Sequence, residues 1–387
     1  MAKEKEIVEE TLRNSKKFDT TALTNTHQWV TVKGVKTLDA KRKELLEKEI
    51  EVFDFIKSEI ETLKYGSILP DYGRVGKEDG CDYMLYQDHF FDYTNNKNFT
   101  STSPFYIFSE IKDTAESQAR QYFSKAIASW RLDNDKKTAI IHLGKALHYS
   151  QDTCECHHAT NQTGGEGTAH TRFEHYAETY KEECGIDTVS KEILEQFAEE
   201  NAATFISKMA YKNSKSAHGY INLAQLRNTW DDWNTGCKIG LKLAQETTAC
   251  IIRRFLKEVT TPAGSPTGKV DKGHVFIKVA DEQFAGTNDY IYFGIKTKVG
   301  KPLEFVCDLV GDDFERDSVA TYQFEVAGKE VRYEDIDSFY IKKVKAGVMD
   351  DQVKIERVEL YIQGQRVFKV SPNKWLKNLE NIIEIKK

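Results

Sequence analysis

Proline is scarce in the first two thirds of this sequence. Of the six prolines in 387 residues, only Pro70 and Pro104 precede residue 262, so long helices meet few obstacles there. The stretch TPAGSPTG, at residues 261–268, has the Pro, Gly and Ser content of a linker. A chain of this length also exceeds one ordinary core. We therefore predict two domains, residues 1–260 and 271–387, with a linker over residues 261–270.

Long apolar runs are missing as well. No run approaches the roughly 18 residues that a membrane-spanning helix needs, and the opening MAKEKEIVEE lacks the apolar centre of a secretory signal. Taken alone, these absences predict a soluble cytoplasmic protein. An excess of basic residues is missing too, because the formal net charge is -6. A nucleic-acid partner is therefore not expected.

The cysteines do not form the framework of a disulfide-rich protein. They number seven, an odd count, so at least one is unpaired within the chain. One run, C-x-C-H-H, is compatible with a closed structural metal site, but we favour buried, unreactive thiols. The seven are Cys81, Cys154, Cys156, Cys184, Cys237, Cys250 and Cys307.

Apolar residues recur at helical spacing before residue 260. Between Leu38 and Leu63 they are separated by three, four or seven positions, with charged residues in the gaps, which is typical of an amphipathic helix. Similar patterns predict an all-α first domain. Further helices are expected over residues 115–132, 136–154, 170–184, 191–211 and 230–259.

After the linker the hydrophobic period falls to two. Short runs rich in β-branched and aromatic residues alternate with Gly or Asp clusters, which predicts an antiparallel sandwich of about eight strands. The runs are HVFIKVA, DYIYFGIKTK, LEFVCDL, TYQFEV, SFYIKKVK, KIERVELYI and RVFKV. The predicted fold class is a multidomain chain in which an all-α domain precedes an antiparallel β-sandwich.

Histidines concentrate in a short part of the first domain, where five of the ten occur. His148 with Asp152, and His170 with Glu174, are four positions apart and therefore share a helix face. Imidazole and carboxylate ligands suit zinc with coordination positions open to water or substrate. One such pair alone would be interpreted as a surface salt bridge. Two pairs together with the nearby His158 favour a metal centre.

Several separate motifs of the first domain contain these side chains. They are THQWVTVKGV, GSILPDYG, YMLYQDHFFD, ALHYSQD, HHATN, AHTRFEHYAE and TWDDW. In order and spacing they resemble the zinc-dependent phospholipase C family, and in particular its two-domain alpha-toxin type. The resemblance runs from about Thr26 to the end of the chain. It implies a helical catalytic domain followed by a β-sandwich of the PLAT type.

The resemblance also implies an activity and a setting. The expected reaction is hydrolysis of phosphatidylcholine, with sphingomyelin as a further candidate, to diacylglycerol and phosphocholine. Calcium bound by the C-terminal domain would recruit the enzyme to phospholipid membranes, in the manner of a haemolytic toxin. The family is secreted, although no signal peptide is visible in this chain, and we expect a monomer.

The resemblance implies a cluster of two or three zinc ions. The first would be held by Asp71, His89, His148 and Asp152, the second by His158, His170 and Glu174, and the third by His27, Asp152 and the amino terminus of the chain. Zinc ions about 3.5–4 Å apart bridge a phosphodiester and activate a water for in-line attack on phosphorus. By the same resemblance, Asp71 would be the catalytic proton acceptor.

The third zinc site departs from the family pattern. The family's mature chain begins with a tryptophan whose amino nitrogen and carbonyl oxygen are ligands. Counting back from His27, that place holds Lys17, after an extra segment within residues 1–24. An amide nitrogen inside a chain cannot replace the amine. Cleavage between Lys16 and Lys17 would restore the backbone ligands, which is a hypothesis for the native protein.

Three aromatic residues lie beside the ligand motifs, namely Tyr72, Tyr86 and Phe91. They are candidates to line the pocket for the lipid headgroup, where an aromatic face attracts a choline cation. An ordinary position in the aromatic core is an equally good interpretation of all three.

Loops of the second domain resemble the calcium-binding loops of the alpha-toxin sandwich. The motifs are FAGTNDYIYFG, DLVGDDF and GVMDDQ, and their oxygen donors suit calcium. Without the resemblance, such Asp and Gly clusters would be interpreted as turns. The matching ligand positions are Gly286, Thr287, Asn288, Asp289, Asp308, Gly311, Asp313, Asp351 and Gln352.

The second domain also departs from the family. Phe284 stands where the family has an aspartate ligand, so one calcium site loses charge. Ala346 and Met349 stand in the loop where the toxins have exposed aromatic anchors. Because each lost ring would bury roughly 150–250 Å², we expect weaker membrane insertion and reduced haemolysis.

Two other functions remain open at this point. The first is a zinc nuclease of the S1/P1 type, which uses a similar cluster but is disfavoured by the acidic charge and the lipid-binding sandwich. The second is a non-catalytic membrane-binding protein with an incomplete third zinc site. Trp230 and Trp233 in TWDDW fit a membrane-facing surface and ordinary helix packing equally well.

Overall fold

The structure is a computed structural model, and it describes residues 25–71, 86–100, 113–261, 266–309, 314–326, 331–346, 351–362, 365–379 and 381–387. Several predicted features lie outside the described residues. They are the segment 1–24 with Lys16 and Lys17, Tyr72, Cys81, Gly311, Asp313 and Met349.

Helices occupy the described part of the chain up to residue 261. Most begin at a side chain that accepts a hydrogen bond from the first turn, such as Asn25, whose Oδ1 lies 2.8 Å from the His27 N–H. The helices are α1 (Thr26–Asp39), α2 (Glu47–Ser58), α3 (Ile60–Gly66), α4 (Ala115–Ala128), α5 (Lys136–Asp152), α6 (Cys156–Ala159), α7 (Ala169–Tyr180), α8 (Lys191–Leu194), α9 (Ala202–His218) and α10 (Trp230–Thr260).

The single amphipathic helix predicted over residues 38–63 is wrong. The chain there forms the end of α1, then α2, then the start of α3. The N–H of Leu46 donates to Glu49 Oε2 at 2.8 Å, which marks a new helix start. Leu38, Phe53 and Leu63 are all buried in one core, so the apolar spacing is continuous although the helix is not.

The helix predicted over residues 191–211 is also interrupted. α8 ends at Leu194, and α9 starts only at Ala202. Phe197 has a positive φ of 59°, outside the helical region. Asn201 then caps α9, because its Oδ1 accepts the Thr204 N–H at 3.0 Å.

α3 and α5 cross with their backbones in contact at two glycines. A Cβ placed on Gly144 would lie 2.6 Å from Leu63 O and 2.7 Å from the Gly66 Cα. Side chains larger than hydrogen therefore cannot fit at this crossing without moving a helix. The close approach places the chain after α3 beside the C-terminal half of α5.

The second domain is a sandwich of two antiparallel sheets. In one sheet the order is β4-β1-β6-β7, with β8 also paired to β6, and in the other it is β3-β2-β5-β9. The strands are β1 (Lys272–Val279), β2 (Tyr290–Thr297), β3 (Leu303–Cys307), β4 (Val319–Glu325), β5 (Ile336–Val344), β6 (Val353–Ile362), β7 (Gln365–Val370), β8 (Lys374–Leu376) and β9 (Ile382–Lys386).

The sandwich core comes from the alternating apolar positions of both sheets. Phe293 of β2 pairs with Ile341 of β5, and Ile277 of β1 pairs with Val358 of β6. All four side chains are buried in one cluster. The described residues contain nine strands, against about eight predicted, and the seven predicted runs correspond to β1–β7. β8 has only three residues, which is too short for a recognisable alternation, whereas β9, with the sequence IIEIK, was missed.

The sheet that contains β1 packs against the helices. Phe276 and Val319 are buried in the same cluster as the helical core. The Arg131 guanidinium lies 4.5 Å over the ring of Tyr361. These contacts join both parts of the chain.

None of the helices described is long and apolar enough to cross a membrane.

Candidate metal centre

A cavity of about 510 Å³ in the helical domain is lined by residues of α1, α5, α6, α7 and α10 and by Asp71, which follows α3. The 3-10 turn Gln87–His89 lies against this region through the contact of His89 with Asp152. The predicted zinc ligands on them are His27, Asp71, His89, His148, Asp152, His158, His170 and Glu174. The structure thus brings all eight together, although they are spread over the chain.

The first cluster consists of Asp71, His89, His148 and Asp152. His148 Nε2 lies 3.1 Å from His89 Nδ1, 3.3 Å from Asp152 Oδ2 and 3.6 Å from Asp71 Oδ1. His89 Nδ1 lies 2.9 Å from the same Asp152 oxygen. Two ligands of one tetrahedral zinc lie roughly 3.3 Å apart when each bond is about 2.0 Å. His89, His148 and Asp152 therefore have the spacing of ligands of one zinc ion, whereas Asp71 forms a group of possible ligands with His27 and His148.

The second cluster consists of His158, His170 and Glu174. Glu174 Oε1 lies 3.1 Å from His170 Nε2 and 3.4 Å from His158 Nε2. His170 and Glu174 are one turn apart on α7, and His158 reaches them from α6. With three protein ligands, a zinc ion here would keep a position open for water or substrate.

His27 occupies the third predicted position. Its Nε2 lies 3.5 Å from Asp152 Oδ1, and its ring stacks on His148 with 3.9 Å between the centroids. Asp152 therefore faces His27 with one oxygen and the first cluster with the other. The amino-terminal ligands that would complete this site fall on Lys17, outside the described residues.

Two imidazoles are held in one tautomer by backbone carbonyls. His148 Nδ1 donates to Ser67 O at 2.8 Å, and His158 Nδ1 donates to His89 O at 2.8 Å. A ring that donates from Nδ1 has its lone pair on Nε2, the atom that faces the carboxylates here. The Ser67 carbonyl comes within hydrogen-bond distance of His148 because α3 and α5 cross closely at Gly66 and Gly144.

His27 is oriented by a residue that the motifs did not identify. His27 Nδ1 donates to Gln151 Oε1 at 2.8 Å. Gln151 Nε2 in turn donates to the hydroxyls of Thr31 and Thr248, both at 3.1 Å. This chain of hydrogen bonds aims His27 Nε2 into the cavity. Glutamine is a poor metal ligand, so its residue type carries no signal of this role.

Glu155 is a second residue that the motifs missed. Its Oε2 accepts the N–H groups of His157 and His158 at 2.7 and 2.8 Å, and its Oε1 accepts His157 Nδ1 at 2.8 Å. Ligand atoms of Glu155, His158 and His170 lie within 4.8 Å of one another. Glu155 therefore adds a carboxylate beside the second cluster and fixes the turn that carries His158.

The electrostatics of the centre favour bound positive charge. Burial opposes a charge on His148, but Asp152 and Asp71 outweigh it and raise the pKa of His148 to about 9. Burial also opposes a charge on His158, but its hydrogen bond to Glu174 and its acidic neighbours raise its pKa to about 10. Protons and zinc compete for the same imidazole nitrogen. The carboxylates that stabilise protonated imidazoles here would therefore also stabilise a bound zinc ion.

The predicted pocket aromatics have different positions. Tyr86 is partly exposed, and its hydroxyl donates to Asp71 O at 3.3 Å. Phe91 is buried in the helical core instead of lining the cavity. The preceding Phe90 stacks on the His158 ring, with 4.6 Å between centroids and 5° between planes. Tyr72 lies outside the described residues.

The two thiols of the C-x-C-H-H run point to different places. Cys154 Sγ lies 3.5 Å from Ser150 O, while Cys156 Sγ lies 3.5 Å from Glu155 Oε1. Burial raises the pKa of both thiols, Cys154 to about 12. Cys156 lies with Glu155 and His157 in a group that could hold a metal ion, but Cys154 points away from it, so the structure does not favour a metal site built from both thiols.

Loops at one end of the sandwich bring several predicted calcium ligands together. Asp351 Oδ2 accepts the Thr287 hydroxyl at 3.0 Å and the Asn288 N–H at 2.9 Å, and its Oδ1 accepts the Gln352 N–H at 2.9 Å. Gly286 precedes this group, and Asp308 lies exposed directly after β3.

Asp289, one of the predicted calcium ligands, is already paired inside the sandwich. Its Oδ2 accepts a hydrogen bond from Lys343 Nζ at 2.6 Å, and its Oδ1 accepts the Ala346 N–H at 2.7 Å. Both charged side chains are buried. A buried ammonium therefore neutralises this carboxylate, and calcium would have to compete with it. Phe284, which stands five residues earlier where the family has an aspartate ligand, has a side chain that is 73% exposed and a positive φ of 64°.

Trp230 and Trp233 form part of an aromatic cluster at the start of α10. Trp233 is buried, whereas Trp230 is largely exposed and stacks on Tyr176 with 5.2 Å between centroids. Trp233 therefore has the position expected for helix packing, and Trp230 has the position expected for a residue on a surface.

Known proteins resemble this chain over both domains. A family model described as zinc dependent phospholipase C matches residues 26–249, and a PLAT/LH2 domain model matches residues 274–385. A phospholipase C of Clostridium perfringens is 32% identical over 364 residues, covering 91% of this chain and 89% of that protein. A phospholipase C of Clostridium novyi is 30% identical with the same coverage.

Solved structures give the same result. The alpha toxin from Clostridium absonum superposes with a TM-score of 0.62 at 29% identity, covering 95% of this chain and 100% of that chain. The alpha-toxin of an avian Clostridium perfringens strain has a TM-score of 0.60 at 32% identity, with the same coverage. This chain therefore belongs to the zinc-dependent phospholipase C family, and its helical domain with a following PLAT domain makes it a member of the alpha-toxin type.

Proposed function

We propose that this phospholipase C cleaves lipids with a phosphocholine headgroup, phosphatidylcholine first and sphingomyelin second, and releases phosphocholine. One observation carries the proposal. Three imidazoles, those of His27, His148 and His158, each donate Nδ1–H to a fixed oxygen and turn Nε2 toward a carboxylate. Such an arrangement is built to bind metal at a cavity that a headgroup can enter.

We assign the side chains around the cavity as zinc ligands. Asp71, His89, His148 and Asp152 would hold one ion, and the second cluster would hold another. His27 and Asp152 would contribute to a third. Zinc bound there supplies Lewis-acid chemistry, since it neutralises phosphate oxygens and makes water more acidic. The protein's own contribution is to hold these groups apart at the required spacing.

We assign Asp71 as the proton acceptor. Both side chains line the cavity, but that of Asp71 is 36% exposed, whereas that of Asp152 is 4% exposed and lies within 4.0 Å of nitrogens of four imidazoles. A base must reach both the attacking water and bulk solvent. Asp71 has that access, and Asp152 does not.

The choline end of the headgroup would lie near Tyr86. The Tyr86 ring packs edge-on against His89, with 5.5 Å between the centroids, and part of it faces solvent beside Asp71. An exposed aromatic ring next to an anionic centre attracts a quaternary ammonium. Both candidate lipids have this headgroup, so the proposed contact with Tyr86 applies to each of them.

We further propose that calcium recruits the enzyme to the membrane through Gly286, Thr287, Asn288, Asp308, Asp351 and Gln352. Support comes from the convergence of these loops on the Asp351 carboxylate. Hard oxygen donors from two loops suit calcium, and lipid phosphate can fill its remaining positions. The ligand set has fewer charges than predicted because Asp289 pairs with Lys343.

The decisive experiment measures phosphocholine release from vesicles while zinc and calcium are varied separately. His148→Asn should abolish release and lower the zinc content, whereas His142→Asn, on the same helix outside the clusters, should do neither. Calcium removal should slow hydrolysis of vesicles but not of a short-chain, monomeric phosphatidylcholine. Equal cleavage of phosphatidylcholine and phosphatidylethanolamine vesicles would contradict the choline assignment, and release by the His148 variant would contradict the metal centre.

A further inference from the structure

Two thiols meet in the wall of the metal cavity. Cys184 lies in the 3-10 turn Lys181–Cys184 that follows α7, and Cys237 lies in the first third of α10. Their sulfur atoms are 3.7 Å apart. Both side chains are buried, with 5% and 2% of the residue exposed, and Cys237 also lines the cavity. No catalytic role described above uses either thiol.

The backbone around Cys184 is already anchored to α10. Gln245 Nε2 donates to Cys184 O at 2.9 Å, and the Ile186 N–H donates to Gln245 Oε1 at 3.0 Å. Gln245 is fully buried and also donates to Leu241 O within its own helix. The turn and the helix are therefore held in place by contacts that do not involve the sulfurs.

We propose that Cys184 and Cys237 are a disulfide-forming pair, a covalent modification site that joins the end of α7 to α10. A disulfide bond is about 2.05 Å long, so the sulfurs must approach by somewhat less than 2 Å. Side-chain rotation supplies that movement, because the backbones on both sides are already docked. The pair is distinct from the zinc clusters and needs no metal.

The two thiols are coupled, because either one can donate its S–H to the other sulfur and so stabilise a thiolate there. When the Cys237 thiol donates, the thiolate forms on Cys184, and this thiolate attacks first. It attacks one sulfur of a small organic disulfide, forms a mixed disulfide and releases one thiolate.

The second step closes the protein disulfide. Cys237 loses its proton to water, and its sulfur attacks the Cys184 sulfur of the mixed disulfide. The second small thiolate leaves. The protein loses two protons and two electrons, and the small disulfide takes them up to become two thiols.

A closed bond would act on the helix that carries His170 and Glu174. α7 runs directly into the turn of Cys184, so the bond would attach the end of this helix to α10. Crosslinks across a loop of this size restrict the unfolded chain and stabilise the folded state. The oxidised protein should unfold at a temperature roughly 5–10 °C higher than the reduced protein.

The test uses the full-length, zinc-loaded protein treated with oxidised glutathione. Free thiols counted after denaturation should fall from seven per chain by two. Peptide mapping by mass spectrometry should find Cys184 and Cys237 in one linked pair, and dithiothreitol should reverse both the link and the rise in unfolding temperature.

Serine variants supply the comparison. Cys184→Ser and Cys237→Ser should each keep all remaining thiols under the same treatment. Cys154→Ser is the matched control, because that thiol lines the same cavity but points at Ser150 O, and it should still lose two. A stable glutathione adduct on Cys184, a link between other cysteines, or no thiol loss in the wild-type protein would overturn the proposal.

Discussion

The side-chain oxygen of Gln151 accepts a hydrogen bond from His27 Nδ1 at 2.8 Å, and two threonine hydroxyls fix the amide on its other side. His27 is thereby aimed at Asp152, although its partner amino-terminal ligands lie outside the described residues. Loss of an outer hydrogen bond of this kind typically lowers metal affinity by about 10- to 100-fold.

Gln151→Leu should therefore weaken the zinc site that contains His27 while the other sites keep their metal. Gln151→Glu, which retains an acceptor oxygen of the same shape, should weaken it less. Chelator competition with a fluorescent zinc indicator measures both. If the leucine variant holds every zinc ion as tightly as the wild-type protein, Gln151 has no positioning role.

Glu155→Gln should lower zinc affinity at the second cluster roughly tenfold. The amide oxygen can still accept the His157 and His158 N–H groups, so the turn should persist while the negative charge is lost. Thermal unfolding of the chelated protein should change little. Glu182→Gln, an exposed carboxylate on the turn after α7, is the matched control. A large stability loss without a change in zinc affinity would make Glu155 purely structural.

The metal-free protein should lose stability as the pH rises. Folding raises the pKa of His148 to about 9 and of His158 to about 10, from 6.5. Protonation therefore stabilises the metal-free fold fully below about pH 6.5, and this contribution is lost as the pH rises through the folded pKa values. Zinc requires deprotonated rings, so its stabilisation grows in the same direction.

Unfolding temperatures with and without a zinc chelator should therefore diverge with pH. The gap should be small near pH 6.5 and wide near pH 9, with each pKa unit worth about 1.4 kcal/mol per group at most. Differential scanning calorimetry at several pH values measures it. A gap that is constant over this range would mean that the imidazoles do not bind the metal.

Lys343→Met should destabilise the sandwich by about 3 kcal/mol, because it leaves the buried Asp289 carboxylate unpaired. Lys343 Nζ also donates to Asp351 O at 2.6 Å and Asn378 Oδ1 at 3.1 Å. The double variant Lys343→Met with Asp289→Asn should recover part of the loss. Urea unfolding measures the cycle. Additive losses would show that the two side chains do not interact.

Asp289→Asn also tests whether Asp289 binds calcium in addition to pairing with Lys343. If Asp289 is occupied by Lys343, this change should leave calcium affinity within about twofold, whereas Asp351→Asn should weaken it strongly. Isothermal titration of the full-length protein with calcium compares them. A strong loss of calcium affinity in the Asp289 variant would restore it to the ligand set.

The side chains that converge in the candidate metal centre could be predicted from the sequence because each lies inside its own recognisable motif. His148 with Asp152 and His170 with Glu174 need only one helical turn to become neighbours. Gln151 and Glu155 could not be found in this way. They act through hydrogen bonds to His27 and to the turn of His158, and neither residue type is diagnostic of such a role.

The fold class could also be predicted, since the hydrophobic period changes from helical to alternating at the linker. The breaks near Leu46 and Phe197 could not, because apolar side chains on both sides of each break face the same core. The Asp289–Lys343 pair was missed for a different reason. A loop motif identifies carboxylates, but the cation that neutralises one of them comes from β5.

The contact between Gly66 and Gly144 has a consequence for how this enzyme tolerates change. Ser67, which orients His148 through its carbonyl, directly follows one of these glycines. A single methyl group at the crossing would push the helices apart and displace the His148 ring, which it never touches. The geometry of the proposed metal centre thus depends on a position that has no functional group and has room only for a hydrogen atom.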